Sequence, residues 1–155
     1  MQTRDNTLLA KTPGASGGPL LFLTSALLAL LILNLAVFDD LRIDPSAGVL
    51  ETFLKPQHLS SLLAVLLAAG LAAFKHRSAA RVAAVVAWIE ITAFAFFHAI
   101  PVEIGPSKPY WGEGMGDALQ WTGLLLILAV SAAIVRVARR SSNVAVTPAA
   151  AGLRS

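Results

Sequence analysis

The chain has 155 residues, enough for one domain, and 56 % of them are hydrophobic against 14 % charged. A soluble domain carries about 25 % charge, so the polar residues here are too few to cover a water-soluble globule. Cysteine is absent, which excludes a disulfide framework, a thiolate metal site and thiol redox chemistry.

Residues 1–18 form a polar tail ending in Pro13-Gly14-Ala15-Ser16-Gly17-Gly18, a run that does not hold a helix. The first apolar block, 19–38, carries no charge. Twenty residues at about 1.5 Å each span about 30 Å, the thickness of a hydrocarbon core. The block is too long for a signal-peptide core and no small-x-small site precedes Asp39, so it reads as a retained helix.

Three further blocks follow at 57–74, 82–101 and 118–135, and Glu90 is the one formal charge inside any of the four. Runs of this length and composition are transmembrane candidates rather than core helices. The expected fold is therefore all-α, a four-transmembrane-helix bundle over 19–140. The Ala-rich segment 141–155 lacks apolar periodicity and is expected to be a disordered tail.

Orientation follows from Lys and Arg. The N-terminal tail has Arg4 and Lys11, the 75–81 loop Lys75, Arg77 and Arg81, and the C-terminal segment Arg136, Arg139, Arg140 and Arg154. Against these nine, the other two loops hold Arg42, Lys55 and Lys108. The split predicts both termini in the cytoplasm, in a plasma (cell inner) membrane. It also accounts for the net charge of +3 without a nucleic-acid partner, because the cations flank membrane segments. Tyr110, Trp111 and Trp121 cluster at the outer boundary, where amphipathic rings anchor to head groups.

The halves resemble one another. Ile43-Asp44-Pro45-Ser46 corresponds to Ile104-Gly105-Pro106-Ser107, and Gln57-His58-Leu59-Ser60-Ser61-Leu62-Leu63 to Gln120-Trp121-Thr122-Gly123-Leu124-Leu125. The pattern suggests two repeated helical hairpins. Small residues for close helix contact are supplied by Ala68, Ala69, Gly70, Ala72 and Ala73, and by Ala129, Ser131, Ala132 and Ala133.

Polar side chains inside a bilayer are costly and are read individually. Glu90 lies within about 2 Å of the midplane of 82–101, with no Lys or Arg in any span to pair with. Its Cβ points toward the helix N-terminus, in the direction of the hydroxyls of Ser25 and Ser131. It reads as a hydrogen-bonding link between helices, as a proton- or cation-coupled transport site, or as a catalytic or ligand-binding acid. Each helix also has one polar side chain at a similar outer depth. Asn34 is about 8 Å from the midplane, His98 and Gln120 about 10 Å, and His58 about 11 Å. Facing inward, they would form a polar layer that Glu103 could cap, suited to the head group of a lipid-soluble ligand. His58 and His98 could alternatively ligate a metal or a haem b iron, although no cofactor is predicted. At helix ends the same residues also read as ordinary interfacial polar groups.

Three functional readings follow. The first is a non-catalytic subunit or accessory of a membrane assembly, in contact with the lipid bilayer and with other membrane subunits or copies of itself. The second is a small proton-coupled transporter or lipophilic-ligand-binding protein using Glu90 and the outer layer. The third is an enzyme on a lipid-soluble substrate, with His58, His98 and Glu103 as acid/base groups. The reading leans away from an enzyme, and no family resemblance is identified.

Overall fold

In the computed structural model the described residues are 17–38, 46, 48–99 and 118–151, with side chains for all of these except 98–99 and 142–151. They contain helices and turns and no strand. Helix α1 is Gly17–Leu33 and runs on into a π-helical segment, Asn34–Phe38. A short α2 follows at Val49–Leu54, then α3 at Pro56–Ala73. Helix α4, Ala79–Phe94, also ends in a π-helical segment, Ala95–Ala99, and α5 runs from Ala118 to Ala151. Four of these helices are long and apolar enough to cross a membrane: Gly17–Phe38, Pro56–Ala73, Ala79–Phe97 and Ala118–Ser141.

The boundaries differ from the sequence expectation in ways with simple causes. Helix α3 opens on Pro56, whose missing N–H costs nothing at the first helical position. Helix α4 starts at Ala79 rather than 82, because an exposed Arg81 rides on its first turn instead of preceding it. The segment expected to be disordered from 141 is helical as far as Ala151. Helix α2 has six residues, too few for a periodic signature.

Packing is extensive between α1 and α3, α3 and α4, α4 and α5, and α5 and α1, with little contact across the diagonal from α1 to α4. The four long helices thus form a ring in chain order. One end of the bundle carries Lys75, Arg77, Arg81, Arg136, Arg139 and Arg140 and is called the basic end below. The opposite end carries the two π-helical segments, α2 and the start of α5.

Each helix buries one stripe at helical spacing. On α1 it is Leu20, Thr24 and Leu27; on α3 it is Val65, Ala68, Ala69 and Ala72. On α4 it is Ala79, Ala83, Val86, Ala87 and Glu90, and on α5 it includes Leu124, Ile127, Ser131, Ile134 and Ala138. The alanines of α3 and α4 let those backbones approach, and larger side chains of α1 and α5, chiefly Leu27 and Ile134, fill the remaining volume. Of the small residues expected at contacts, Ala68, Ala69, Ala72 and Ser131 are buried, whereas Ala73, Ala129 and Ala132 are exposed. The α4 alanines, unmarked in the sequence reading, supply the rest of the small-residue contact. Outside the ring, Phe22 is 71 % exposed and Leu67 58 %. So much apolar exterior on a single chain suits a lipid solvent.

The basic-end turn between α3 and α4 is closed by a pair of backbone bonds. His76 N–H donates to Leu71 O (2.8 Å) and Lys75 N–H to Ala72 O (3.1 Å), the Schellman arrangement that satisfies the last carbonyls of a helix. It requires a left-handed residue, and Lys75 takes that place at φ 51°. A β-branched side chain there clashes with its own backbone. Lys75→Val is therefore expected to destabilise the protein by about 1 kcal/mol and Lys75→Gly to be neutral or stabilising, read as thermal unfolding in detergent.

Candidate functional site

Most hydroxyls within the spans satisfy themselves locally. Thr24 donates to Leu20 O (2.9 Å), Thr92 to Trp88 O (2.8 Å), Thr122 to Ala118 O (2.7 Å) and Ser141 to Val137 O (3.0 Å). Each is a bond back to the previous turn, which hides a polar group without tying helices together. Of the groups that remain, Ser131 lies just on the basic side of the middle, and Glu90, Ser61, His58, Thr52, Asn34 and Gln120 lie in the half of the bundle away from the basic end.

Glu90 is the deepest of them. It is 8 % exposed and faces α3, where the Ser61 hydroxyl donates to its Oε1 at 2.5 Å. The expected partners were Ser25 and Ser131, and neither is the partner found. Ser25 is exposed, and Ser131 is fully buried with an Oγ that has no hydrogen-bond partner. The depth of each residue explains the change. Span Ala79–Phe97 has its midpoint at Trp88, which puts Glu90 about 3 Å on the side away from the basic end. Ser61 lies about 5 Å beyond the middle of Pro56–Ala73 on the same side, whereas Ser131 lies about 2 Å toward the basic end.

His58 stands one turn above Ser61 on α3, with His58, Ser61, Val65, Ala68 and Ala72 forming one stripe. The histidine is half-buried, and its Nδ1–H donates to Thr52 O at 2.7 Å. That bond fixes the ring and ties α2 to the start of α3. Pointing Nδ1 at a carbonyl fixes the tautomer in which Nδ1 carries the hydrogen. Thr52 itself is fully buried, and its Oγ1 has no hydrogen-bond partner among the described residues.

Asn34 begins the π-helical segment that ends the first span. Helix α5 crosses this segment so closely that a Cβ on Gly123 would meet Phe38 Cδ2 at 2.5 Å and Asn34 Oδ1 at 3.1 Å. Glycine is required there by the approach of a side chain, not by backbone angle. Asn34 Oδ1 is buried and has no hydrogen-bond partner among the described residues. Gln120, 5 % exposed, lies one turn before Gly123 on α5, and Trp121 beside it is half-buried.

The arrangement thus brings Asn34 to the α5 turn that carries Gln120 and Gly123, and His58 to Thr52. Because α2 also packs on the Asn34–Phe38 segment, the two contacts belong to one end of the bundle, with the Glu90–Ser61 bond beneath. His98 lies in the Ala95–Ala99 segment, and its side chain falls outside the described residues, as do Glu103, Tyr110 and Trp111. Among the described residues, no group of three His, Asp or Glu side chains is placed to hold a metal ion.

Two members of this set were not foreseen. Ser61 is 29 residues from Glu90 and was read only as part of an apparent repeat. Thr52 sits in what looked like a loop. No local pattern announces either, since both are defined by what packs against them.

If the Ser61–Glu90 bond is a link between helices, Glu90→Gln preserves an acceptor and changes stability little. Ser61→Ala is expected to cost about 1 kcal/mol or more, because it strands the buried carboxyl of Glu90, and Glu90→Leu less, because the hydroxyl it strands is only half-buried. A double-mutant cycle by thermal unfolding in detergent reads the coupling.

Comparison with known protein families, with characterised proteins and with solved structures finds no match to this chain.

Proposed function

We propose that this protein is a non-catalytic component of a membrane assembly, working through packing against partner membrane subunits or copies of itself. The observation that carries the reading is the state of Glu90. The one acid within the spans is engaged by Ser61 in a layer whose neighbours below, Val65, Ala87, Leu27 and Ile134, are at most 1 % exposed. An acid held in this way serves as a fastener between α3 and α4, and a filled core beneath it offers no obvious route for a transported ion. Both termini lie on the cytoplasmic side of a plasma (inner) membrane in this proposal, on the support of the Lys and Arg distribution.

The two-hairpin repeat belongs to the same proposal. The π-helical segments begin at Asn34 and Ala95, 61 residues apart, the offset that also relates Ile43 to Ile104. Each ends the first long helix of its hairpin. A wide π turn recurring at one structural position supports a common origin for the halves.

A second reading, a binding site for a lipid-soluble ligand, is favoured by Asn34 Oδ1 and Thr52 Oγ1. Two buried oxygens without partners among the described residues, in one end of a bundle, are costly unless something donates to them. The ligand class that suits them is an apolar molecule bearing a hydroxyl donor. The enzyme reading depends on His98 and Glu103 and gains nothing from the described side chains.

Purification in mild detergent, with identification of whatever protein remains bound, tests the first reading. A stoichiometric membrane-protein partner or a defined oligomer is expected, and a partner-free monomer overturns it. Uptake into proteoliposomes should be the same for wild type and Glu90→Gln. For the second reading, Asn34→Leu removes the unpartnered oxygen. It should raise thermal stability in lipid-free detergent and abolish any stabilisation by an added lipophilic alcohol; stabilisation that survives the substitution sinks the site.

A further inference from the structure

On the flank of the bundle, α4 and α5 leave an open groove of about 400 Å³. Its α5 wall is a single stripe at helical spacing: Ala132 and Val135 toward the middle of the helix, then Arg136, Arg139 and Arg140. Its α4 wall is Trp88 and Ile91. One end of the groove is therefore apolar and the other is a cluster of three guanidinium groups. No carboxylate is among the residues that line it.

The depth of the cluster matters. Measured from the middle of Ala118–Ser141, Arg136 lies about 10 Å out and Arg139 and Arg140 about 14 and 16 Å. The hydrocarbon edge is at about 15 Å, so the cluster straddles it. Because α4 and α5 are antiparallel and each Cβ leans toward its own N-terminus, Trp88 and Arg139 lean toward one another. The Arg139 Cζ comes to rest 5.9 Å from the indole centroid. An indole face offsets part of the cost of a cation there but supplies no negative charge. A guanidinium held on the hydrocarbon side of the boundary calls for an anion, and the protein wall provides none. The nearest anion that a membrane offers, just outside the hydrocarbon edge and within reach of an arginine side chain, is a lipid phosphate.

We propose that this groove binds an anionic phospholipid, its phosphate held by Arg136, Arg139 and Arg140 and one acyl chain lying along Trp88, Ile91, Ala132 and Val135. Arginine suits the task, since its planar fork pairs two donors with phosphate oxygens. The site is separate from the polar end of the bundle and independent of the function proposed above.

The test uses the full-length protein in bilayer nanodiscs of phosphatidylcholine containing a minor fraction of phosphatidylglycerol or cardiolipin, with retained lipid counted by native mass spectrometry. Wild type should keep anionic lipid through delipidation in preference to phosphatidylcholine. The R136A/R139A/R140A variant should bind it about tenfold or more weakly. Lys75→Gln with Arg77→Gln, which removes two cations from the same end but none from the groove, should leave binding intact. Equal retention of zwitterionic lipid, no loss in the triple variant, or an equal loss in the Lys75/Arg77 variant overturns the proposal. A second measurement needs no arginine substitution. With Trp111→Phe and Trp121→Phe leaving Trp88 as the sole indole, brominated phosphatidylglycerol should quench its fluorescence more than brominated phosphatidylcholine at equal mole fraction. Equal quenching overturns the site.

Discussion

The packing of the four long helices in a ring, most extensive between α4 and α5, is the constraint on which the rest of the bundle depends. In a bilayer there is no hydrophobic gain in moving an apolar helix from lipid to another apolar helix, so association rests on packing and on a few polar links. Buried alanines, Ala68, Ala69 and Ala72 on α3 and Ala79, Ala83 and Ala87 on α4, keep side-chain bulk low where these helices meet their neighbours. The tight turn at Lys75 sets them antiparallel from the start. With the two backbones near, Ser61 reaches Glu90, and the larger side chains of α1 and α5 close the interior from the other side.

Toward the basic end, small and branched apolar residues fill the centre, and the cations are pushed to the rim. Toward the other end the regular helices give way. Two of the long helices finish in π-helical turns, a six-residue helix packs on the first of them, and a glycine on α5 admits the ring of Phe38. Side-chain oxygens are left there with no protein donor. The division is physical: a bundle stabilised by packing at one end can carry unsatisfied groups at the other, as functional sites commonly do.

The polar groups differ in how well residue counting located them. Glu90 was recognisable as the one buried charge, because an acid in an apolar run stands out whatever it packs against. Its partner differs from the expected ones, since the span begins three residues earlier and ends four residues earlier than the apolar block, which moves the midpoint past it. Asn34 and Gln120 were visible as polar breaks in apolar blocks, but not the meeting of α1 with α5 around Gly123. A π-helical turn widens the helix by a residue, so face assignments made with a period of 3.6 drift beyond it. His58 was counted as a member of a layer, and the bond that orients it comes from a helix too short for any period to reveal.

Sequence alone determined the helical class, the number of long apolar segments and their approximate limits, because length and the exclusion of charge answer directly to the thickness of a membrane. Tertiary structure alone decided which hydroxyl meets Glu90, which oxygens remain without a donor, and that three arginines and an indole from different helices share a groove. Those outcomes depend on the rotation and offset of one helix against the next, quantities set by small-residue contact over the whole bundle and not by any residue's neighbours along the chain.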